Sequence, residues 1–154
     1  MVYTEIRKRN NRKYFYRVLS VRNNNKVNKK RVYLGVNLNK NEINKRESEA
    51  DKELKRESAS FKKIKYKIIE ILKQHNIKKA GIFGSYARGD YKKNSDIDIL
   101  IQPPKGMGLE FISVQLELED KLKRKVDLVT YKGIHPLIKK QVLDEEIKII
   151  WREA

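Results

Sequence analysis

The chain has 154 residues, about the length of one domain, and carries 37 Lys and Arg against 20 Asp and Glu, for a formal net charge of +17. The absence of cysteine excludes disulfides, thiolate catalysis and cysteine-ligated zinc, and two histidines are too few for a zinc site. No run of about 18 apolar residues occurs and the N-terminus has no apolar signal core, so we expect a cytoplasmic protein without a membrane span.

The positive charge favours polyanionic partners such as nucleic acid or nucleotides, or an acidic protein. A lysine-rich solvated surface would explain the same charge. Residues 1–60 hold 17 basic and 7 acidic side chains (+10), and residues 61–154 hold 20 and 13 (+7). The N-terminal part is therefore the more basic.

Residues 1–38 are predicted to form a small basic β module, a hairpin extended to three strands. The β-rich stretches are Val2–Arg7, Tyr14–Val21 and Val32–Leu34, and the asparagines at 23–25 indicate a turn. Arg and Lys alternate with aromatic residues, a composition that suits a DNA groove or a single strand. Nucleic acid contact, docking of a protein partner and a solvated sheet face all remain open.

Residues 39–60 are predicted to form a polar connector helix. Asn39 followed by Glu42 is typical of an N-terminal cap. Sparse apolar residues at helical spacing continue into the amphipathic stretch that begins at Phe61. One helix over about 41–75 is therefore predicted, with a possible break at Ser58–Ser60. Its polar half could also pair with another chain or form a homo-oligomer contact.

Residues 61–154 alternate between helical and strand patterns. After the amphipathic helix we predict strands at 78–83, 97–102, 125–130 and 147–151, a short helix or turn at 85–91, and helices within 105–124 and from Pro136 to about Glu145. The helix within 105–124 is expected to bury a face made by Leu109, Ile112, Leu116, Leu118 and Leu122.

Gly84 to Asp98 is the stretch that carries chemistry. Gly84-Ser85 follows an apolar strand, and a glycine turn with free N–H groups and a hydroxyl suits a phosphate. Asp96 and Asp98 are two residues apart, so on a strand both side chains lie on one face. Two carboxylates beside a phosphate site are what a hard cation such as Mg²⁺ requires.

Gly-Ser, ten residues and Asp-x-Asp together resemble the signature of the DNA polymerase β-like nucleotidyltransferases, most of all the minimal nucleotidyltransferases. The final stretch HPLIKKQVLDEEIKII also resembles the ends of those proteins. The resemblance covers roughly Phe61 to the C-terminus. It implies an α+β fold for residues 61–154, a mixed sheet with helices on one side.

The resemblance also implies roles for individual residues. Gly84 and Ser85 would bind the β- and γ-phosphates of ATP, with Arg88 near them, and Lys92 or Lys93 could steady the phosphate charge. Asp96, Asp98 and Asp127 would be catalytic and would bind one or two Mg²⁺ ions. Asp127 is an acid in an otherwise apolar strand, where a buried carboxylate is costly without a partner. A solvent-facing position on an edge strand is the alternative for this residue.

The implied function is that of an antitoxin which transfers AMP from ATP to a tyrosine of a partner HEPN toxin (higher eukaryotes and prokaryotes nucleotide-binding), or to itself. One alternative is a non-catalytic antitoxin that docks the toxin and binds DNA. Another is nucleotidyl transfer to a small molecule, which ranks lower because only about 24 residues follow Thr130. The acceptor, the base and the choice of Mg²⁺ or Mn²⁺ stay undetermined.

Overall fold

A computed structural model describes residues 1–23 and 26–152. The architecture is α+β, as predicted, and the chain divides into two compact units, residues 1–62 and 63–154. Among the helices of the described residues, none has the length and apolar character needed to cross a membrane.

The N-terminal unit contains an antiparallel sheet with strand order β1-β2-β3, formed by β1 (Val2–Arg9), β2 (Arg12–Asn23) and β3 (Lys26–Val36). The three predicted strands are confirmed and are longer than expected. Asn10 and Asn11 join β1 to β2 with φ of 49° and 58°, the left-handed backbone of a tight hairpin turn. The turn predicted at 23–25 falls partly on residues 24 and 25, which lie outside the described residues.

Helix α1 (Lys40–Gln74) begins at the predicted cap. Asn39 Oδ1 accepts a 3.0 Å hydrogen bond from the Glu42 N–H, and Glu42 Oε2 accepts a 2.9 Å bond from the Asn39 N–H. This reciprocal pair satisfies donors that the first turn would leave unpaired. The helix runs without the break considered at Ser58–Ser60, because serine and alanine are tolerated in a helix where proline is not.

The first part of α1, expected as a polar connector, packs on the sheet of its own unit. Phe15, Leu34 and Ala50 form one buried cluster, and Leu54 is 2% exposed. Arg17 of β2 donates to Asp51 of α1 through Nε and Nη2, at 2.7 and 2.9 Å. One face of the sheet is therefore covered by a helix whose contacts are partly ionic, which explains its low hydrophobicity.

The second unit contains a four-stranded sheet with strand order β6-β5-β4-β7. Along the chain its elements after α1 are β4 (Lys79–Phe83), α2 (Gly84–Arg88), β5 (Ile97–Ile101), α3 (Glu110–Leu122), β6 (Val126–Thr130), α4 (Pro136–Glu145) and β7 (Ile147–Trp151). The four strands predicted from the sequence are confirmed, and every predicted end lies within one residue of the observed end. The sheet is mixed because β5 and β6 are parallel while the other pairs are antiparallel.

The central strands form the core of this unit. Ile97, Ile99, Leu100 and Ile101 of β5 are fully buried, as expected for a strand covered on both faces. A parallel pair requires a crossover connection, and α3 supplies it between β5 and β6. This connection brings the start of β6 beside the start of β5, the end of the sheet at which the predicted site residues lie.

The buried face of α3 differs from the prediction. Val114, Leu118 and Leu122 are buried, at intervals of four residues. Leu109, Ile112 and Leu116, which were predicted to be buried, are 84%, 56% and 59% exposed. The helix carries two apolar stripes, and only packing against the sheet selects between them.

Candidate active site

The candidate site begins where β4 ends. Gly84 follows Phe83 and has φ of 67°, a left-handed conformation that glycine adopts without strain. A Cβ at this position would lie 3.0 Å from Asp98 Cγ and nearer still to Oδ2. Phe83 and Asp98 are direct partners in the antiparallel pair β4–β5. The glycine is therefore required by both backbone conformation and space.

The turn presents polar backbone groups beside these carboxylates. Phe83 occupies the cap position of α2 and makes no side-chain cap hydrogen bond. The helix therefore begins without a side-chain cap from Phe83, and the Ser85 hydroxyl lies in its first turn. Such a turn suits a phosphate oxygen.

The three predicted aspartates line one cavity of about 410 Å³ together with Gly84, Ser85 and Arg88. Asp98 and Asp127 are direct partners in the parallel pair β5–β6. Asp96 precedes β5 by one residue rather than lying within it, yet it lines the same cavity. The six residues predicted from the sequence are thus brought together.

Asp127 is exposed, so its carboxylate does not carry the burial cost considered from the sequence. Side chains alternate along β6, where Val126 and Leu128 are buried and the residue between them faces outward. Its exposure alone would fit an ordinary edge-strand acid. Its place beside Asp98 at the cavity is what separates it from that alternative.

The electrostatics centre on Asp98. Burial, together with the charges of Asp127 and Asp96, raises its pKa from the ordinary 3.8 to about 6. Arg88 acts in the opposite sense. These carboxylates repel one another in a partly buried site, and a bound cation would offset the repulsion.

The donor set fits a hard divalent cation, because carboxylate oxygens are the ligands such ions prefer. Within residues 1–23 and 26–152, no three His, Cys, Asp or Glu side chains are grouped closely enough to hold a metal ion by themselves. The three aspartates line one cavity, but in this structure they do not by themselves form such a three-ligand group. The arrangement fits the usual mode of Mg²⁺, in which one or two carboxylates bind and substrate phosphate oxygens complete the coordination.

Arg88 lines the cavity but is held by two acids. Its Nη1 donates to Glu145 Oε2 at 3.0 Å, and its Nε donates to Asp90 Oδ2 at 3.3 Å. The bond to Glu145 raises the pKa of the guanidinium above its ordinary value. The contact joins α2 to α4, so Arg88 positions the wall of the cavity as well as adding positive charge.

Helix α4 supplies residues that the sequence reasoning missed: Ile138, Gln141, Val142 and Glu145 line the cavity, as do Phe83 and Ser95. The four helical residues recur at intervals of three, one and three, the spacing of one helix face. This spacing is the feature of the sequence that could have indicated that the four residues share one face. Lys92 and Lys93, considered as phosphate ligands, are exposed and are not among the lining residues.

Strands that place carboxylates beside a glycine-serine turn define a site for nucleotidyl transfer, in which positioning and charge neutralisation supply most of the catalysis. The sequence profile described as polymerase beta, nucleotidyltransferase matches residues 66–154. The chain belongs to this polymerase β nucleotidyltransferase family. Residues 1–65 lie outside the matched region.

Individual relatives agree with the family assignment. A protein of Methanocaldococcus jannaschii, named as a candidate protein adenylyltransferase, is 45% identical over 92 residues, which are 59% of this chain and 99% of the relative. The protein adenylyltransferase MntA of Thermococcus cleftensis is 36% identical over 81 residues, which are 52% of this chain and 82% of the relative.

Among solved structures, a toxin–antitoxin crystal structure with AMP-PNP aligns with a TM-score of 0.52 and 25% sequence identity. The alignment covers 58% of this chain and 74% of the other chain. More than half of this chain therefore shares its fold with a chain of that toxin–antitoxin structure.

Proposed function

We propose that this chain is a protein adenylyltransferase that moves AMP from ATP to a hydroxyl group of a partner protein, and that it acts as an antitoxin. The observation that carries the proposal is the single cavity in which Gly84, Ser85 and three aspartates meet. The names of the two relatives support the protein acceptor. The aligned toxin–antitoxin structure is one with AMP-PNP, which supports an adenosine triphosphate as donor.

In the proposed reaction the acceptor oxygen attacks the α-phosphorus of ATP. The bond from that phosphorus to the oxygen bridging to the β-phosphate breaks, and pyrophosphate leaves with the bonding electrons. The hydroxyl proton passes to the Asp127 carboxylate and from there to solvent. Asp127 suits this step because it is exposed, whereas Asp98 is partly buried.

Gly84 and Ser85 bind the leaving β- and γ-phosphates, and the lack of a side chain at Gly84 lets the phosphates approach Asp98. Asp96 and Asp98 would hold Mg²⁺, which when bound neutralises phosphate charge and orients the triphosphate. Arg88 adds a fixed positive charge at the cavity while its bond to Glu145 keeps it in place. Because the reaction consumes ATP, the cytoplasm is the compartment we expect.

The acceptor is a tyrosine of a HEPN toxin in this proposal, with a tyrosine of the chain itself as the variant. The toxin–antitoxin complex among the aligned structures supports a toxin partner. The cavity is bordered by Ile138, which is 49% exposed, and the neighbouring Leu137 is 88% exposed. Exposed apolar side chains beside a site suit a protein that docks there.

The test is transfer of label from α-labelled ATP in the presence of Mg²⁺, with the chain alone and with the product of the neighbouring gene. Asp96→Ala/Asp98→Ala should abolish labelling. Glu110→Ala/Asp120→Ala is the matched control, because it removes two exposed carboxylates from α3 and should leave labelling unchanged. Equal labelling by wild type and the Asp96/Asp98 variant, or no labelling by wild type, would refute the proposal.

A further inference from the structure

The sheet of the N-terminal unit has one face that α1 does not cover. The residues that the strand register places on this outer face include Tyr3, Glu5 and Arg7 of β1, Tyr14 and Tyr16 of β2, and Lys29, Arg31 and Tyr33 of β3, with the fully buried Val18 of β2 among them. The face carries four of the eight tyrosines of the whole chain. Its chemistry is therefore aromatic and basic rather than generally polar.

The net positive charge of this unit comes from the sheet. Residues 1–38 contain eleven Lys and Arg and a single acid, Glu5, whereas residues 39–60 contain six basic and six acidic residues. A general excess of lysine in the protein would give the helix a net positive charge as well as the strands. The contrast within one unit therefore indicates that the positive sheet has a use of its own.

Glu5, the one acid of residues 1–38, forms ion pairs with two arginines of this face and leaves the face with a net positive charge. Glu5 Oε1 accepts a 2.6 Å bond from Arg7 Nε, and Glu5 Oε2 accepts a 3.2 Å bond from Arg31 Nε. The hydrogen bond from Arg7 lowers the pKa of Glu5, so the carboxylate stays ionised. Both contacts are made through Nε, and the terminal nitrogens of a guanidinium can donate to a phosphate at the same time.

Three tyrosine rings of this face lie close to its cations or to one another. The Arg7 guanidinium lies 5.4 Å from the centre of the Tyr16 ring, and the Tyr16 and Tyr33 ring centres are 5.4 Å apart. Lys29 Nζ lies 5.8 Å from the centre of the Tyr3 ring. Tyr33 is nevertheless 54% exposed, so an ordered ring remains open to solvent.

We propose that this outer face binds nucleic acid, with Arg7, Lys29 and Arg31 contacting phosphates and Tyr33 contacting bases or sugars. Guanidinium groups suit phosphate oxygens, and exposed rings on a sheet are sequence-tolerant stacking surfaces. A protein partner is less well matched, because it would have to supply several acids to a face whose one acid is already bonded to two arginines, whereas nucleic acid carries a phosphate at every nucleotide. The proposal is independent of the catalytic one.

The experiment uses the full chain and one fluorescein-labelled sequence as single-stranded DNA, single-stranded RNA and duplex DNA, with anisotropy measured over a series of KCl concentrations. Arg7→Gln/Arg31→Gln should weaken binding about tenfold or more and reduce the slope of log K against log salt by about 2 on duplex DNA. Lys45→Gln/Lys52→Gln removes the same charge from exposed positions of α1 and should change binding less than about twofold.

Tyr33→Ala tests the ring without changing the charge, and Tyr66→Ala, at a position 61% exposed on α1, is its control. Weaker binding for Tyr33→Ala alone supports the proposal, whether the loss is confined to single strands or common to all three probes. Lys29 lies outside the Glu5 network. If the double arginine variant unfolds, Lys29→Gln therefore repeats the charge test.

Three results would overturn the proposal. The first is that wild type binds none of the three probes at low salt. The second is that the Arg7/Arg31 and Lys45/Lys52 variants weaken binding equally, which would leave net charge as the whole effect. The third is that the Arg7/Arg31 variant keeps nucleic acid binding and instead loses binding to the product of the neighbouring gene.

Discussion

Gly84 packs directly against the carboxylate of Asp98. The turn that would bind phosphate is therefore in direct contact with the acid that would bind a cation. The close approach follows from the pairing of Phe83 with Asp98 across β4 and β5. It explains why a residue without a side chain stands at the end of β4. It also makes glycine at this position a requirement of the site as well as of the backbone.

Gly84→Ala should lower both stability and nucleotide binding. The substitution strains a backbone at φ 67° and forces Asp98 to move, for an expected loss of roughly 2–3 kcal/mol in the free energy of unfolding. Gly106→Ala is the control, because its φ is 84° and an added Cβ meets nothing within 4 Å. It should cost only about 1 kcal/mol and leave ATP binding unchanged. Equal effects of the two changes in urea unfolding and ATP titration would contradict the close-approach argument.

Asp98→Asn should stabilise the chain while abolishing AMP transfer. A carboxyl whose pKa is raised to about 6 favours the folded state when protonated, and this contribution is lost as the pH rises through that value. At about pH 7.5 the ionised group therefore opposes folding, and the neutral amide should add roughly 1–2 kcal/mol, less than the full shift implies because solvent screens the site. Below about pH 3.8 the two proteins should be equally stable.

Urea unfolding at several pH values measures this difference. Added Mg²⁺ should raise the stability of wild type more than that of Asp98→Asn, because only the native carboxylates bind the ion well. A less stable Asp98→Asn protein at neutral pH would show that hydrogen bonds to the carboxylate outweigh the repulsion.

Glu145 and Arg88 should affect nucleotide binding in opposite directions. Glu145→Gln removes a negative charge from the cavity and should lower the Kd for ATP several-fold, whereas Arg88→Gln should raise it about tenfold. Asp90→Asn, which removes the other partner of Arg88 outside the cavity lining, should have little effect. Isothermal titration with a non-hydrolysable ATP analogue measures all three. Weaker binding by Glu145→Gln would mean that the orientation of Arg88 matters more than its charge.

Asp51→Asn should destabilise the N-terminal unit by about 1–2 kcal/mol, because it breaks a two-bond contact with the largely buried Arg17. The hydrogen bond from Arg17 lowers the pKa of Asp51 below its ordinary 3.8. The contribution is therefore present above about pH 4 and is lost as the pH falls through the lowered pKa, where wild type and variant should converge. Thermal unfolding followed by circular dichroism tests this, with Asp120→Asn as an exposed ion-pair control that should show no measurable change.

Much of the candidate site could be predicted because its signature is local. Gly84 and Asp98 are close in the chain and belong to neighbouring antiparallel strands, so composition and spacing were sufficient to place them together. Asp127 required the resemblance to a family, because its pairing with Asp98 depends on the crossover through α3.

Other features depend on packing that spacing alone does not determine. Glu145 lies 57 residues from Arg88, and nothing in its local sequence distinguishes it from Asp144, the other acid of α4. Helix α3 has two apolar stripes, and packing against the sheet buries the one that contains Val114. In the N-terminal unit the ionic contact of Arg17 with Asp51 allowed a highly polar helix to cover a sheet, a pattern that hydrophobic periodicity does not detect.

Among the strands of the described residues, β7 is the last to be synthesised, and it pairs with β4 in the second sheet. Until Ile147–Trp151 has left the ribosome, one edge of β4 exposes unpaired backbone groups. The second edge of the strand that leads into Gly84 is thus paired only by a segment made more than 60 residues later. A nascent chain that lacks β7 should therefore be unable to transfer AMP, and the emergence of this strand would set the earliest moment at which the protein could silence a toxin.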